Sequence, residues 1–203
     1  LFGSEFQFER FRLVVIANDT EGWGNLCEFI TAARNTELPK GEYRVSWEES
    51  DVASLQRCQI LFVPDRNPGG AMDTATLHED LMAARALYGE NLWLAVELFS
   101  ELDDDLWLVT LMEAGEQAGV PLVAAGDVHM HARSCKPMHD VLTAVREGKT
   151  VAECGFALQS NAERHLRPRM RLAEIHLRQM LDNTQVVAER CKFDPDVIRE
   201  NYK

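Results

Sequence analysis

Leu92-Trp93-Leu94-Ala95-Val96-Glu97-Leu98 is an apolar run of the length of a buried strand, and a second such run follows at Pro121-Leu122-Val123-Ala124-Ala125. Between them, residues 106–118 place apolar side chains at helical spacing, after three consecutive aspartates that suit the positive end of a helix dipole. Gly119 follows directly and predicts the end of this helix. A strand, a helix and a strand of these lengths predict two parallel strands joined by a crossover helix.

The same alternation extends toward the amino terminus. Buried strands are predicted at residues 12–17 and at residues 59–63, which Pro64 closes. Helices are predicted at residues 23–34, from a capping box at Ser46-Trp47-Glu48-Glu49 to Arg57, and from an Asp73 cap to Tyr88. Strands that alternate with helices predict an α/β fold with parallel pairing, in a sheet or in a barrel.

The carboxyl-terminal part follows a different pattern. A helix is predicted at residues 136–146, but after Ala157 the chain becomes a basic, polar connector. Helices are then predicted at residues 172–181 and 183–191, without a further strand. We therefore predict a boundary near Leu158, with residues 1–158 as the main domain and residues 159–203 as a helical extension.

Composition limits the classes of function. A net charge of -12 argues against a grip on nucleic acid by this chain alone, because nonspecific DNA affinity depends on Lys and Arg that displace counterions. Five scattered cysteines without a CxxC pair indicate reduced thiols. No leader and no long apolar segment is evident, so we expect a soluble, cytoplasmic protein. The absence of an initiator Met beside an early strand indicates a fragment.

Asp127, His129 and His131 follow the predicted strand that ends at Ala125. In an extended backbone this spacing points all three side chains the same way, and carboxylate plus imidazole suits Zn²⁺, Mn²⁺ or Fe²⁺. The alternative is a turn capped by Asp127 with two ordinary surface histidines. Glu97 is a carboxylate inside an apolar strand, so it is either paired or metal-bound, or the strand has already reached solvent there. Glu5 could likewise point into a site, or it could be a surface residue at a frayed end.

Other titratable residues have weaker claims to a site. His78, His139 and His176 fall in predicted helices, where solvated or packing roles are expected. A basic stretch contains Arg164, His165, Arg167, Arg169 and Arg171. A solvated linker is the first interpretation of this stretch, and a phosphate or DNA contact through Arg164, Arg167 and Arg169 is the second.

Val123-Ala124-Ala125-Gly126-Asp127-Val128-His129-Met130-His131 and the following segment, residues 136–146, resemble the PHP domain of C-family DNA polymerases. Ala152-Glu153-Cys154-Gly155-Phe156-Ala157-Leu158 and residues 161–167 resemble the error-prone branch, and residues 13–26 are similar to an earlier strand and helix of the same domain. The resemblance implies a distorted, TIM-like βα barrel, here partial because its first strands are missing, with a helical carboxyl-terminal extension.

The resemblance also implies a metal site that is incomplete in this chain. Asp127 and His129 match a pair of metal ligands, Glu5 an earlier carboxylate ligand and Glu97 a weaker one, whereas His131 has no counterpart. Arg12 stands where many members of the family have a ligand histidine, and a guanidinium cannot ligate a metal. Zn or Mn would therefore meet too few ligands, and Arg12 beside Glu5 or Asp127 would supply the missing positive charge.

These observations leave three functional hypotheses. The first is a structural accessory domain of an error-prone DNA polymerase for replication or repair across DNA damage, with partners in the rest of the polymerase, primed DNA and mutagenesis proteins. The second is a metal-dependent phosphoesterase that hydrolyses phosphodiesters or pyrophosphate. The third is a small-molecule-binding α/β domain. An exposed strand edge at residues 12–17 would also favour self-association.

Overall fold

Five strands form one mixed sheet in a computed structural model that describes residues 1–35, 42–66 and 74–201. The strands are β1 (Gly3–Gln7), β2 (Phe11–Ala17), β3 (Cys58–Pro64), β4 (Leu92–Glu97) and β5 (Leu122–Ala125). Their order in the sheet is their order along the chain. Within the described residues the sheet is open, with β1 and β5 at its edges, so the chain is mixed α/β and no closed barrel is formed.

Seven α-helices lie in the described residues. They are α1 (Thr20–Arg34), α2 (Thr74–Tyr88), α3 (Asp104–Ala118), α4 (Lys136–Glu147), α5 (Arg169–Ile175), α6 (Arg178–Arg190) and α7 (Pro195–Asn201). Gly119 ends α3 in the left-handed conformation, as predicted from its position after the helical run. The predicted Asp73 cap lies outside the described residues. None of the helices in these ranges is long and apolar enough to cross a lipid bilayer.

The pairing directions correct the prediction of a fully parallel sheet. β3, β4 and β5 are parallel, but β1 pairs antiparallel with β2, and β2 pairs antiparallel with β3. The connection from β2 to β3 is long enough to return to either end of the sheet, so local sequence does not fix its direction. The predicted edge at residues 12–17 is also wrong, because β2 lies between two strands and both of its edges are paired.

Each face of the sheet carries its own apolar cluster. Phe11, Leu13 and Val15 alternate with less buried residues along β2 and belong to the larger cluster, to which α1, α2 and α3 contribute. The opposite face carries Val63, Trp93, Ala95 and Val123, against which α6 packs Val187. Arg12 alternates with the residues of the larger cluster and therefore belongs to this second face.

The predicted helix from Ser46 to Arg57 is absent. The first capping bond does form, since Ser46 Oγ accepts the Glu49 amide at 3.0 Å. The chain then makes a turn in which Ser50 Oγ accepts the Ser46 amide, and a 3₁₀ helix follows at Val52–Arg57. Serine side chains that bond to nearby backbone groups compete with helical hydrogen bonds, and the predicted helix gives way to this local arrangement.

The carboxyl-terminal helices also differ from their predicted bounds. The expected helix at residues 172–181 is broken because His176 and Leu177 are extended, with α5 before them and α6 after. α6 then occupies much of the segment predicted as residues 183–191. This helix buries Met180 in the larger cluster, and Asn183 donates to the free carbonyl of Leu122 at the β5 edge at 2.7 Å.

Candidate functional site

One end of the sheet collects charged side chains from four elements. Because β2 is antiparallel to β3, its first residues lie at the same end as the carboxyl ends of β3, β4 and β5. Arg12 on β2 therefore lies beside Glu97, which ends β4, and near Asp127, which follows β5. Glu5 reaches the same place from β1.

Arg12 lies at the centre of this group. Its Nη1 is 3.0 Å from Glu5 Oε2 and 3.6 Å from Asp127 Oδ2, and its Nη2 is 2.8 Å from Glu97 Oε2. The side chains of Arg12, Glu97 and Asp127 are 16%, 12% and 15% exposed, whereas Glu5 is 47% exposed. We call Arg12, Glu5, Glu97 and Asp127 the Arg12 cluster.

Arg164 adds a second guanidinium to the Arg12 cluster. It forms an ion pair with Asp127, and its Cζ lies 4.0 Å from the centre of the Phe99 ring. Such stacking on an aromatic face holds a guanidinium in a partly dry site. Two arginines thus neutralise most of the charge of three carboxylates.

Burial sets the electrostatics of the group. It raises the pKa of Glu97 above its ordinary value, and the positive charges of Arg12 and Arg164 act in the opposite direction. Burial also lowers the pKa of Arg164. A guanidinium nevertheless stays charged in proteins, so both arginines act as fixed cations here.

The donor set of the cluster does not fit the Zn²⁺ or Mn²⁺ ion that the family resemblance implies. Oxygen atoms of all three carboxylates already contact a guanidinium, and a divalent cation among them would lie beside the charge of Arg12. In the described part of the chain, no three His, Cys, Asp or Glu side chains converge as a metal-binding group. The geometry is that of an ion-pair cluster in which arginine provides the positive charge.

His129 and His139 lie at the margin of the cluster. His129 Nε2 is 2.9 Å from Asp127 Oδ1, and its Nδ1 is 3.3 Å from His139 Nε2 and 3.1 Å from the Gln159 side-chain nitrogen. Burial, followed by the neighbouring His129, lowers the pKa of His139. Sequence reasoning assigned His139 a solvated or packing role and missed this contact, because it depends on how α4 folds back after the loop.

His131 lies apart from His129 and Asp127, which corrects the expectation that all three point the same way. The backbone is not extended here, because Asp127 has a φ of 36°. His131 instead approaches Cys135, with Nδ1 3.5 Å from the sulfur.

The three arginines named as phosphate contacts lie in different environments. Arg164 pairs with Asp127 of the Arg12 cluster. Arg167 is buried, with a side chain only 3% exposed that donates to the carbonyl oxygens of Leu98 and Glu163. Arg169, at the start of α5, is exposed. The burial of Arg167 does not support its predicted phosphate contact. Sequence reasoning also missed Glu163, which is buried and pairs with Arg133 at 2.7 Å.

Comparison with known proteins gives a consistent set of relatives. No family model matches the chain. All 203 residues align with an error-prone DNA polymerase of Methylococcus capsulatus at 41% identity, and the whole chain also aligns with one of Azoarcus sp. at 40% identity. An error-prone DNA polymerase of Ralstonia nicotianae is 38% identical over 94% of the chain. The chain is thus similar along its whole length to a segment that makes up 18–19% of proteins named error-prone DNA polymerase.

Proposed function

We propose that this chain is the PHP domain of an error-prone DNA-directed DNA polymerase and that it works as a structural domain, without nucleotidyl transfer of its own. The observation that carries this proposal is the position of Arg12 at the centre of the carboxylates. The resemblance at residues 123–131 and 136–146 supports the PHP assignment. The relatives support the polymerase origin, because they are named error-prone DNA polymerases.

The Arg12 cluster supports a structural role because Arg12 supplies the positive charge of a metal ion but not its catalytic chemistry. A bound divalent ion would hold the ends of β1, β4 and β5 together through their carboxylates. The Arg12 guanidinium makes the same connection with two short ion pairs, to Glu5 and Glu97. It has no empty coordination position, so it cannot activate water.

A metal-dependent phosphoesterase is the alternative function, and the geometry does not favour it. Phosphodiester hydrolysis by clustered metals requires ions that contact both the attacking and the leaving oxygen. Asp127 Oδ2 and Glu97 Oε2 would have to exchange arginine for such ions. His129 is partly exposed and pairs with Asp127. An experiment on hydrolysis must therefore replace these two residues.

The proposed function places the chain in the cytoplasm, in DNA replication and repair synthesis across damaged templates. Its first partner is the rest of the polymerase polypeptide, and primed DNA is bound through that polypeptide. The net charge of -12 supports DNA binding by the rest of the polypeptide and not by this chain, since a chain with this charge repels a phosphate backbone. Proteins of the mutagenesis machinery are further partners in this proposal.

The open sheet would be one part of the distorted βα barrel, with strands of the parent protein beside the β1 edge. The proposed domain covers residues 1–158, and residues 159–203 form the extension toward the polymerase core. α6 packs against β5 and the second apolar cluster, so the extension would also brace the open side of the sheet.

Two assays test the proposal. We expect primer extension by the full polymerase and none by the 203-residue chain. We also expect hydrolysis of a phosphodiester such as bis(4-nitrophenyl) phosphate, with Mn²⁺ added, to be equal for the chain and for its Asp127→Ala/His129→Ala variant. Manganese-dependent hydrolysis that this double variant lost would contradict a structural role, and a full protein unable to extend a primer would contradict the polymerase origin.

A further inference from the structure

Helix α4 carries its apolar side chains on the outside. The residues that it buries are Thr143 and Ala144, which are small. Its large apolar residues are between 48% and 74% exposed and follow the i, i+3, i+4, i+7 spacing of one helix face: Met138, Val141, Leu142 and Val145. An amphipathic helix ordinarily turns such a face toward a core, so α4 is oriented for a contact that no residue of the described ranges 1–35, 42–66 and 74–201 makes.

The exposed face continues beyond the helix. A short 3₁₀ helix at Val151–Glu153 packs against α4 and exposes Val151. Phe156, in the next short helix, is fully exposed as well. We call Met138, Val141, Leu142, Val145 and Val151 the α4 patch. A contiguous apolar surface of this kind marks an interaction site, whereas single exposed apolar residues need no explanation.

Charge and length indicate which partner covers the α4 patch. Residues 133–153, which carry the patch, contain four Lys or Arg and three Asp or Glu, so this segment has a net charge of +1 in a chain of net charge -12. Two copies joined through the patch would bring like charges together, whereas an apolar segment with acidic flanks would be complementary. The relatives extend far beyond the matched region, which makes up 18–19% of their length.

We propose that the α4 patch docks an apolar, acid-flanked segment of the same polymerase polypeptide, from outside these 203 residues. This inference rests on the proposed function and names the surface through which the domain contacts the rest of the polymerase. The patch lies after the Arg12 cluster in the chain, on an element whose first turn carries His139. Docking there would brace the loop that holds Asp127 and His129.

Cysteine labelling tests the docking surface. Val145→Cys lies on the patch, and Arg178→Cys is its control, because Arg178 is exposed on α6 and lies outside the segment that carries the patch. Each substitution is made in the 203-residue chain and in the full polymerase. The rate of maleimide modification is followed by peptide mass spectrometry, which separates it from reaction at the five native cysteines. Primer extension is measured on the same samples.

We expect Val145→Cys to react at least about tenfold more slowly in the full polymerase than in the chain alone, because a docked segment excludes the reagent. Arg178→Cys should change much less. Equal reactivity of Val145→Cys in both proteins, with primer extension intact, would overturn the docking inference and leave the proposed function standing. Protection that appeared in the isolated chain and grew with its concentration would identify a second copy as the occupant and overturn the proposal as well.

Discussion

Replacement of Arg12 by methionine removes the positive charge from the cluster and retains an unbranched apolar stem. Glu97 and Asp127 are 12% and 15% exposed, and both then lose a nearby cation. An unpaired charge in such a buried site is costly. Breaking a buried ion pair on one side costs about 3–5 kcal/mol. Arg164 still pairs with Asp127, so we expect Arg12→Met to lower the free energy of unfolding by somewhat less, about 2–4 kcal/mol.

The assay is urea unfolding, followed by tryptophan fluorescence and circular dichroism, with Arg178→Met as the matched control. Arg178 and Asp182 are 93% and 64% exposed at 3.6 Å, so their pair contributes only about 0–0.5 kcal/mol. Both variants make the same chemical change, and they differ in the burial of the partner carboxylate.

The pH dependence separates lost charge from lost packing. Burial raises the pKa of Glu97 in the folded protein, and removal of Arg12 raises it further. The folded variant therefore binds more protons than the unfolded chain between the ordinary and the raised pKa, and its stability increases as the pH falls through that window. The penalty of Arg12→Met should therefore shrink as the pH falls from neutral toward the ordinary pKa of a glutamate. A penalty below about 1 kcal/mol at neutral pH, or one independent of pH, would refute this reasoning.

Two further predictions concern the core. Burial lowers the pKa of His176 to about 4. As the pH drops below about 6.5, His176 stays neutral in the folded protein but binds a proton in the unfolded chain, so the free energy of unfolding falls. At about pH 5 the loss is about 2 kcal/mol, and His176→Leu should remove this pH dependence in urea unfolding; an unchanged slope would contradict it. Gly22→Ala should destabilise the protein by about 1–3 kcal/mol, because its Cβ would lie 2.3 Å from the Arg57 carbonyl oxygen. Gly24→Ala, in the same helix with nothing within 4 Å, should stabilise it by up to about 1 kcal/mol, and thermal unfolding that ranked the two alike would argue against this packing.

Much of the element order could be predicted from local sequence. Apolar runs at β2, β3, β4 and β5 and the intervening helical spacing are properties of short segments, and the structure contains these elements within a few residues of their predicted bounds. The antiparallel direction of β2 could not be predicted, because it depends on which end of the sheet a long connection reaches. The same holds for β1, whose pairing with β2 follows a turn between Phe8 and Phe11.

The candidate site could also be predicted only in part. The exclusion of Arg12 as a metal ligand follows from its chemistry alone, and with it the expectation that Arg12 compensates Glu5 or Asp127. The contributions of Arg164, Phe99 and His139 could not be found, since they come from segments far apart in the chain. The positive φ of Asp127, and the bend at His131 that follows the bridge between Met130 and His165, also have no signal in residue spacing.

Metal content tests the central claim most directly, namely that Arg12 occupies the place of a cation. The purified chain and its Asp127→Ala/His129→Ala variant are dialysed against Zn²⁺ or Mn²⁺ and analysed for bound ions. The account predicts that both proteins retain the same small amount, far below one ion per chain. Near-stoichiometric metal in the wild-type chain that the double variant lost would contradict it, because the carboxylates would then prefer an ion to arginine.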